Sequence, residues 1–262
     1  MEYVDLHSHI LPYTDDGAKD LDTAVSMVEA CISQGIKTIV CTPHYYHISE
    51  KNVLNFVERR NRNLELLKNE LKKRNIEVPD FRLGAEVSFE CDLTEIENIE
   101  KLAIEGTNYI LIEMPDILWQ SWVLDYLFNL YAQKNLIPII AHVERYNQPK
   151  DVMEKLRRLE VYFQVNASAL MRRSDCKKIL KMLKNNEIHF IASDTHNMSM
   201  RKPFLTQAFE IISKKLSPAT ANELNKNAYK VVNNMDLDKK NIEYYTEDAK
   251  PNLFEILLGR RR

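Results

Sequence analysis

The sequence is poor in glycine, with five in 262 residues, and has neither a low-complexity linker nor an internal repeat. Its four cysteines, Cys31, Cys41, Cys91 and Cys176, lie far apart with no CxxC pair. That spacing excludes a disulfide framework and a zinc finger and suits reduced thiols in the cytoplasm. No apolar run approaches the roughly 18 residues of a membrane span, so no membrane insertion is expected. The opening residues MEYVDLHSH carry neither the basic nor the apolar region of a secretory leader, and a cytoplasmic protein is expected. An excess of one charge is also missing. Lys and Arg total 36 against 38 Asp and Glu, a net charge of -2, which argues against a nucleic-acid partner. No Gly-rich loop follows the first apolar run, which disfavours a dinucleotide site.

Hydrophobic residues make up 45% of the chain and charged residues 28%, enough to bury a sizeable core. Short apolar runs near Tyr3–Leu6, Thr38–Cys41, Phe81–Val87, Tyr109–Ile112, Ile137–Ala141, Tyr162–Val165 and Phe190–Ala192 predict buried strands. Amphipathic segments between them predict helices. One carries the stripe Leu21, Ala24, Val25, Val28 and Cys31; a second carries Val53, Phe56, Leu64, Leu67 and Leu71. Further helices are expected near 93–104, 121–135, 150–159, 175–186 and 203–215, and one opened by Pro218 and running to about Asn234. Strand and helix alternate seven times, which predicts an α/β fold with a parallel sheet, closed or nearly closed as a barrel. The barrel is assigned to residues 1–235. Residues 236–262 form a charged C-terminal extension, a solvated tail or a contact in a homo-oligomer.

In a parallel barrel the reactive groups sit where the strands end. The first run ends in Asp5-Leu6-His7-Ser8-His9, followed by Asp15-Asp16-Gly17. Later runs end in Thr42-Pro43-His44, Ala85-Glu86, Ile112-Glu113, Ala141-His142 and Ser193-Asp194-Thr195-His196. Imidazoles and carboxylates at one apolar rim are costly unless paired or metal-bound. Five histidines and four carboxylates suit a cluster of divalent ions, with neutral rings as ligands and acids offsetting charge. Residues i and i+2 of a strand point the same way, so His7 and His9 can reach one ion, as can Asp194 and His196.

The segments DLHSHILPYTDDGAKD, CTPHYYH, GAEVSF, LIEMP, AHVERY and ASDTHN resemble the polymerase-and-histidinol-phosphatase (PHP) superfamily. Within it they are most similar to the bacterial tyrosine-protein phosphatases of capsule and exopolysaccharide operons. The resemblance runs from Met1 to about Asn234. It implies a distorted seven-stranded (β/α)7 TIM-like barrel, the PHP fold, holding about three divalent ions. Manganese is expected, with iron, magnesium or zinc as alternatives. The resemblance places one ion on His7, His9, Glu86 and Asp194. A second would lie on Glu86, Glu113 and His142, and a third on Asp16, His44 and His196. It also implies phosphate-binding arginines at Arg145 and Arg201. The family's HPERY reads His142-Val143-Glu144-Arg145-Tyr146 here, without the proline, and Tyr13-Thr14 stand where a small residue is more usual.

The reaction expected is hydrolysis of phosphotyrosine by a metal-bridging hydroxide, with Arg145 and Arg201 gripping the non-bridging oxygens. His44, His196 or a metal-bound water protonates the leaving oxygen. The partner implied is a tyrosine-phosphorylated protein, the tail of an autophosphorylated bacterial tyrosine kinase. A histidinol phosphatase, or another small-molecule phosphomonoesterase of the same superfamily, would use nearly the same site. A nuclease lacks its basic stripe, and a scaffold without metals would lack ligands. A cysteine phosphatase needs an arginine six residues after its thiolate; Lys37, His47, Glu97 and Met182 stand at those positions. Tyr45, Tyr46, Trp119 and Trp122 are candidates to stack on a substrate ring or to pack the rim. Arg145 and Arg201 each have a plain alternative, pairing with a helix or loop carboxylate. Asn166 either orients a ligand or caps the next helix. His189 precedes its strand and is expected at the far end, in a structural role.

Overall fold

A computed structural model describes residues 2–237, so the extension assigned to 236–262 lies outside the described residues except for Asp236 and Leu237. In chain order the elements are β1 (Tyr3–Ser8), α1 (Leu21–Ser33), β2 (Ile36–Cys41), β3 (His44–Tyr45), α2 (His47–Glu50) and α3 (Val53–Lys73). There follow β4 (Asp80–Leu83), β5 (Glu86–Ser88), β6 (Tyr109–Glu113), α4 (Ser121–Lys134), β7 (Ile137–Ile140) and α5 (Lys150–Leu156). The last are β8 (Tyr162–Asn166), α6 (Arg173–Lys184), β9 (Phe190–Ala192), α7 (Leu205–Lys215) and α8 (Pro218–Val232). Side-chain caps start three helices: Asp20 accepts from Thr23 N, Asn52 from Asn55 N and Ser217 from Thr220 N.

All strand pairs are parallel. One sheet has the order β1-β2-β4 and the other β3-β5-β6-β7-β8-β9. A bridge between Ser8 and Thr195 brings the end of β1 alongside the chain that leaves β9. The result is a mixed α/β fold with a curved parallel wall. Outside the wall, Ile39, Cys41, Ile112, Ile140, Phe163 and Val165 pack against the helices. On the other face Val4, Leu6, Val40, Leu111, Ile139, Phe190 and Ala192 form a second cluster, joined by Val231 and Leu237.

Two sequence expectations need correction, and both have a physical reason. The run Phe81–Val87 is not one strand; it is β4 and β5, in different sheets. The break at Gly84-Ala85 lies beside Thr42-Pro43, where proline has no N–H for the ladder. The buried Arg60 of α3 braces it by donating to Gly84 O at 2.7 Å. Beyond these breaks β3 and β5 carry His44 and Glu86, paired in register. The helix expected at 93–104 is instead two 3-10 turns, Leu93–Glu95 and Ile99–Leu102. Leu93, Ile96, Ile99 and Leu102 recur every third residue and all are buried, which is the period of a 3-10 turn rather than of an α-helix. Asn98 between the turns has a left-handed φ of 61°.

His189 lies just before β9, at the strand's start, where the sequence puts it. Its Nδ1 accepts the Phe163 N–H at 3.1 Å, so that nitrogen must carry a lone pair. The ring is packed among Tyr162, Phe163 and Phe190. That burial, with the Arg157 charge second, pushes its pKa down to about 4. The unfolded chain takes up the proton near pH 6.5, the folded chain only near 4, so stability is full above 6.5 and falls with acidification through that window. We expect His189→Asn, whose side-chain oxygen can accept the same N–H, to remove about 1–2 kcal/mol of the stability lost between pH 7 and pH 5. Urea unfolding of both proteins at the two pH values measures it; equal losses would refute the assignment.

Candidate metal centre

The strand ends deliver ionisable side chains to one mouth. β1 supplies His7 and carries the chain on to His9, β3 supplies His44, β5 Glu86 and β6 Glu113. His142 follows β7, and Asp194 and His196 follow β9. The pairing of β1 shifts register between Asp5 and Ser8. Along this strand alternate residues part company: Val4 and Leu6 join the inner apolar cluster, and His7 and His9 join the polar one. His142 (φ 35°) and Asp194 (φ 51°) are non-glycine residues in the left-handed region, a strained conformation that recurs at functional sites. Gly17 permits close approach of the following loop: a Cβ there would lie 2.1 Å from His9 O. That turn brings Asp15 and Asp16 to the mouth.

All nine residues expected from the sequence meet there. His9, Asp16, His44 and His196 form one group whose ligand atoms lie within 4.8 Å of one another; His7, His9 and Asp194 form another, and His44, Glu86 and Glu113 a third. Glu86 is central to the cluster. Its Oε2 lies 3.2 Å from His7 Nε2, 3.1 Å from His9 Nε2 and 3.2 Å from His44 Nδ1. Its Oε1 is 2.8 Å from His142 Nε2, which lies 3.6 Å from Glu113 Oε1. The groups overlap more than three separate ligand sets would, because His9 and His44 each belong to two of them.

The hydrogen bonds around the rings fit a cation. His9 Nδ1 faces the Asp15 carboxylate at 2.7 Å, and His196 Nδ1 faces the Asp194 carbonyl at 3.1 Å. His7 Nδ1 faces Gln164 Oε1 at 3.2 Å. Those oxygens only accept, so each Nδ1 carries the proton and, in the neutral ring, each Nε2 a lone pair. His7 Nε2 and His9 Nε2 then lie 3.0 Å apart, with Asp194 Oδ1 at 3.4 and 3.6 Å. Facing lone pairs beside carboxylates call for positive charge between them, a proton on His9 Nε2 or a bound cation. His44 Nδ1 and His196 Nε2 are buried with no hydrogen-bond partner, which also fits a ligand position. This nitrogen and carboxylate donor set suits divalent ions such as manganese, iron or zinc.

Charge is distributed unevenly across the cluster. Burial opposes protonation of His9, yet Asp15 and Glu86 hold its pKa up at about 10. Burial and the His9 charge push His196 down to about 3 and lower His44 as well. Glu113 is raised to about 7 by burial and by the Glu86 charge. Asp194 is buried, but the His7 and His9 charges hold its carboxyl below the usual range. Both predicted arginines bind this same carboxylate: Arg145 Nη2 at 2.8 Å and Arg201 Nη2 at 2.7 Å from Oδ2. A cavity of about 370 Å³ opens beside them, lined in part by Glu113, Met114, Pro115, His142, Arg145 and Tyr146.

The aromatic candidates divide. Tyr45 and Trp119 are buried packing residues, whereas Tyr46 and Trp122 stay exposed, with Tyr46 stacked on His44. Asn166 does not cap the turn that follows it; its amide donates to Asp194. Cys31 and Cys41 are buried with thiols raised by burial, unsuited to nucleophilic attack. Three residues escaped the sequence reading. Asp15 holds His9 and also accepts the His44 N–H at 3.0 Å. Tyr146 OH lies 3.2 Å from His142 Nδ1, and Gln164 sits behind His7. The available signal was a polar residue two places from another in an apolar strand, as with Gln164 and Asn166.

The chain is also similar to known phosphatases. The chain is 30% identical over 239 residues to the tyrosine-protein phosphatase CpsB of Streptococcus agalactiae serotype III, covering 84% of this chain and 94% of that protein. It is 29% identical over 245 residues to the tyrosine-protein phosphatase YwqE of Bacillus subtilis, covering 89% and 93%. A solved structure from work on YwqE of Bacillus subtilis and CpsB of Streptococcus pneumoniae, called there metal-dependent tyrosine phosphatases, matches with a TM-score of 0.79 at 26% identity. It covers 89% of this chain and 96% of that one. The profile of the capsular polysaccharide synthesis family CpsB/CapC matches residues 3–233, and the chain belongs to that family.

Proposed function

We propose that this chain is a metal-dependent protein-tyrosine phosphatase. Its substrate on this reading is an autophosphorylated bacterial tyrosine kinase in capsule or exopolysaccharide control, and its place is the cytoplasm. The observation that carries the proposal is the meeting of five imidazoles and four carboxylates with two arginines at one mouth, in a chain of the CpsB/CapC family. The strand order supports reading the wall as seven barrel strands, with β2/β3 and β4/β5 each one interrupted strand. The catalytic domain is assigned to residues 1–235. Among the described residues no helix is long and apolar enough to cross a membrane.

We assign His7, His9, Glu86 and Asp194 to one manganese ion, Glu86, Glu113 and His142 to a second, and Asp16, His44 and His196 to a third. Divalent ions, when bound, acidify a water molecule and draw charge from a phosphoryl group. The protein's own groups position the ester. Arg145 and Arg201 already hold a carboxylate, and the same planar fork suits the non-bridging phosphoryl oxygens. Met114, Pro115 and Tyr146 give the adjoining cavity an apolar side for an aryl ring, and Tyr46 offers a second aromatic face beside His44. The depressed pKa values of His44 and His196 keep both rings neutral at pH 7, the form that ligates a cation. On this reading both rings serve as ligands, which leaves a metal-bound water as the candidate for protonating the leaving oxygen.

Turnover of a phosphotyrosine peptide is expected to vanish after exhaustive chelation and to return with Mn²⁺; full activity in the chelated protein would overturn the proposal. In the same assay histidinol phosphate should turn over much more slowly. The reverse order would make the enzyme a small-molecule phosphatase. Arg145→Ala and Arg201→Ala should each lower kcat/KM about 10–100-fold, the value of a charge-assisted contact. A loss under about threefold in both would leave the arginines as partners of Asp194 and nothing more.

A further inference from the structure

β8 contributes no ligand to the proposed centre, yet it carries two fully enclosed amides. Gln164 is 0% exposed and Asn166 2%. They are two residues apart on a strand, so both side chains face the same way. Strand β8 pairs with β7 on one side and β9 on the other. Its two amides therefore sit between the segments that carry His142 and Asp194.

The orientation of this pair is fixed without assuming any proton position. The His142 backbone N–H points at the Gln164 side chain at 2.8 Å. A backbone N–H can only donate, so the atom it meets is the amide oxygen, Oε1. The same oxygen lies 3.2 Å from His7 Nδ1, so that nitrogen must bear a hydrogen and, in the neutral ring, the lone pair falls to Nε2. Gln164 Nε2 then donates to Asn166 Oδ1 at 2.9 Å. The Asn166 amide nitrogen is left to donate to Asp194 Oδ2. One backbone N–H thus sets the polarity of a relay that ends on two proposed ligands from opposite ends of the chain. The left-handed turn at His142 is held by its first link.

We propose that Gln164 and Asn166 are positioning residues for metal capture: they impose the Nδ1–H tautomer on His7 and aim the Asp194 carboxylate. This rests on the metal-centre reading above. The tautomer matters because a ring protonated on Nε2 presents a hydrogen where a ligand needs a lone pair. The carboxylate aim matters because Arg145 and Arg201 pull on the same oxygen that Asn166 binds.

The test is Mn²⁺ titration of the metal-free full-length chain by calorimetry, with bound metal counted after dialysis and thermal midpoints recorded without metal. Gln164→Leu and Asn166→Ala should weaken Mn²⁺ binding about 10–100-fold, the usual effect of losing a partner behind a ligand. Gln164→Glu keeps an oxygen for His7 and His142 and should retain more affinity than Gln164→Leu. Leu and Glu variants with equal losses would overturn the proposal, since packing alone would then account for them. Affinity within twofold of wild type in Gln164→Leu and Asn166→Ala would also overturn it. His7→Ala, run in parallel, separates the two layers. If it loses bound Mn²⁺ while the amide variants do not, the relay is wrong and the centre stands; if it keeps full Mn²⁺, the centre itself is wrong.

Discussion

The constraint on which this structure turns is the direction of lone pairs. Nitrogen and oxygen acceptors crowd one buried mouth, and three imidazoles have their protons drawn outward, by Asp15, by the Asp194 carbonyl and by Gln164. What remains pointing inward is electron-rich. The arrangement is the reverse of a satisfied polar core, in which each acceptor meets a donor. His44 Nδ1 and His196 Nε2, buried near carboxylates but with no hydrogen-bond partner, are the plainest sign of it.

The fold supplies this arrangement through strand register and through turns at the strand ends. Pairing keeps one register past Thr42-Pro43 and Gly84-Ala85, where the Glu86 N–H still bonds Pro43 O, and so His44 stands opposite Glu86. Alternation along β1 turns His7 and His9 the same way, and left-handed turns at His142 and Asp194 redirect the chain as it leaves β7 and β9. Each irregularity costs local stability and is offset by packing on both faces of the wall, where Phe163, Ile140 and Ile112 lie outside and Leu111, Ile139 and Phe190 inside.

The candidate ligands other than Asp16 were legible in the sequence because each follows an apolar run, and a charged group there is rare enough to be informative. HxH carried further meaning through the period of two along a strand; DxH did not, because Asp194 and His196 lie beyond β9, with Asp194 left-handed, and they fall in different groups. The breaks were not legible, since Phe81–Val87 reads as one uninterrupted apolar run and only the partner strand's proline ends it. The 3-10 turns at 93–102 were hidden by a spacing of three that passes for a helix unless counted. Asp15 was masked by Asp16, because adjacent acids give no clue which reaches a ring and which faces the solvent. Gln164 was hidden for another reason. Its importance lies wholly in contacts with His7 and His142, 157 and 22 residues away.

Charge arithmetic explains why such a mouth needs cations to receive a phosphate ester. Asp15, Asp16, Glu86, Glu113 and Asp194 bring five negative charges when ionised, and Arg145 and Arg201 return two positive ones. With neutral imidazoles the sum is -3, which repels a dianionic phosphoryl group. The raised pKa values of Glu113 and His9 show the same pressure from within, each group holding a proton to relieve it. Three divalent ions would carry the sum to +3, allow those protons to leave and turn repulsion into attraction. A thiolate enzyme would instead need an exposed cysteine with a depressed pKa, and Cys31 and Cys41 are buried with theirs raised. The acid count that makes this site hostile to phosphate on its own is thus what fits it to gather ions that bind phosphate.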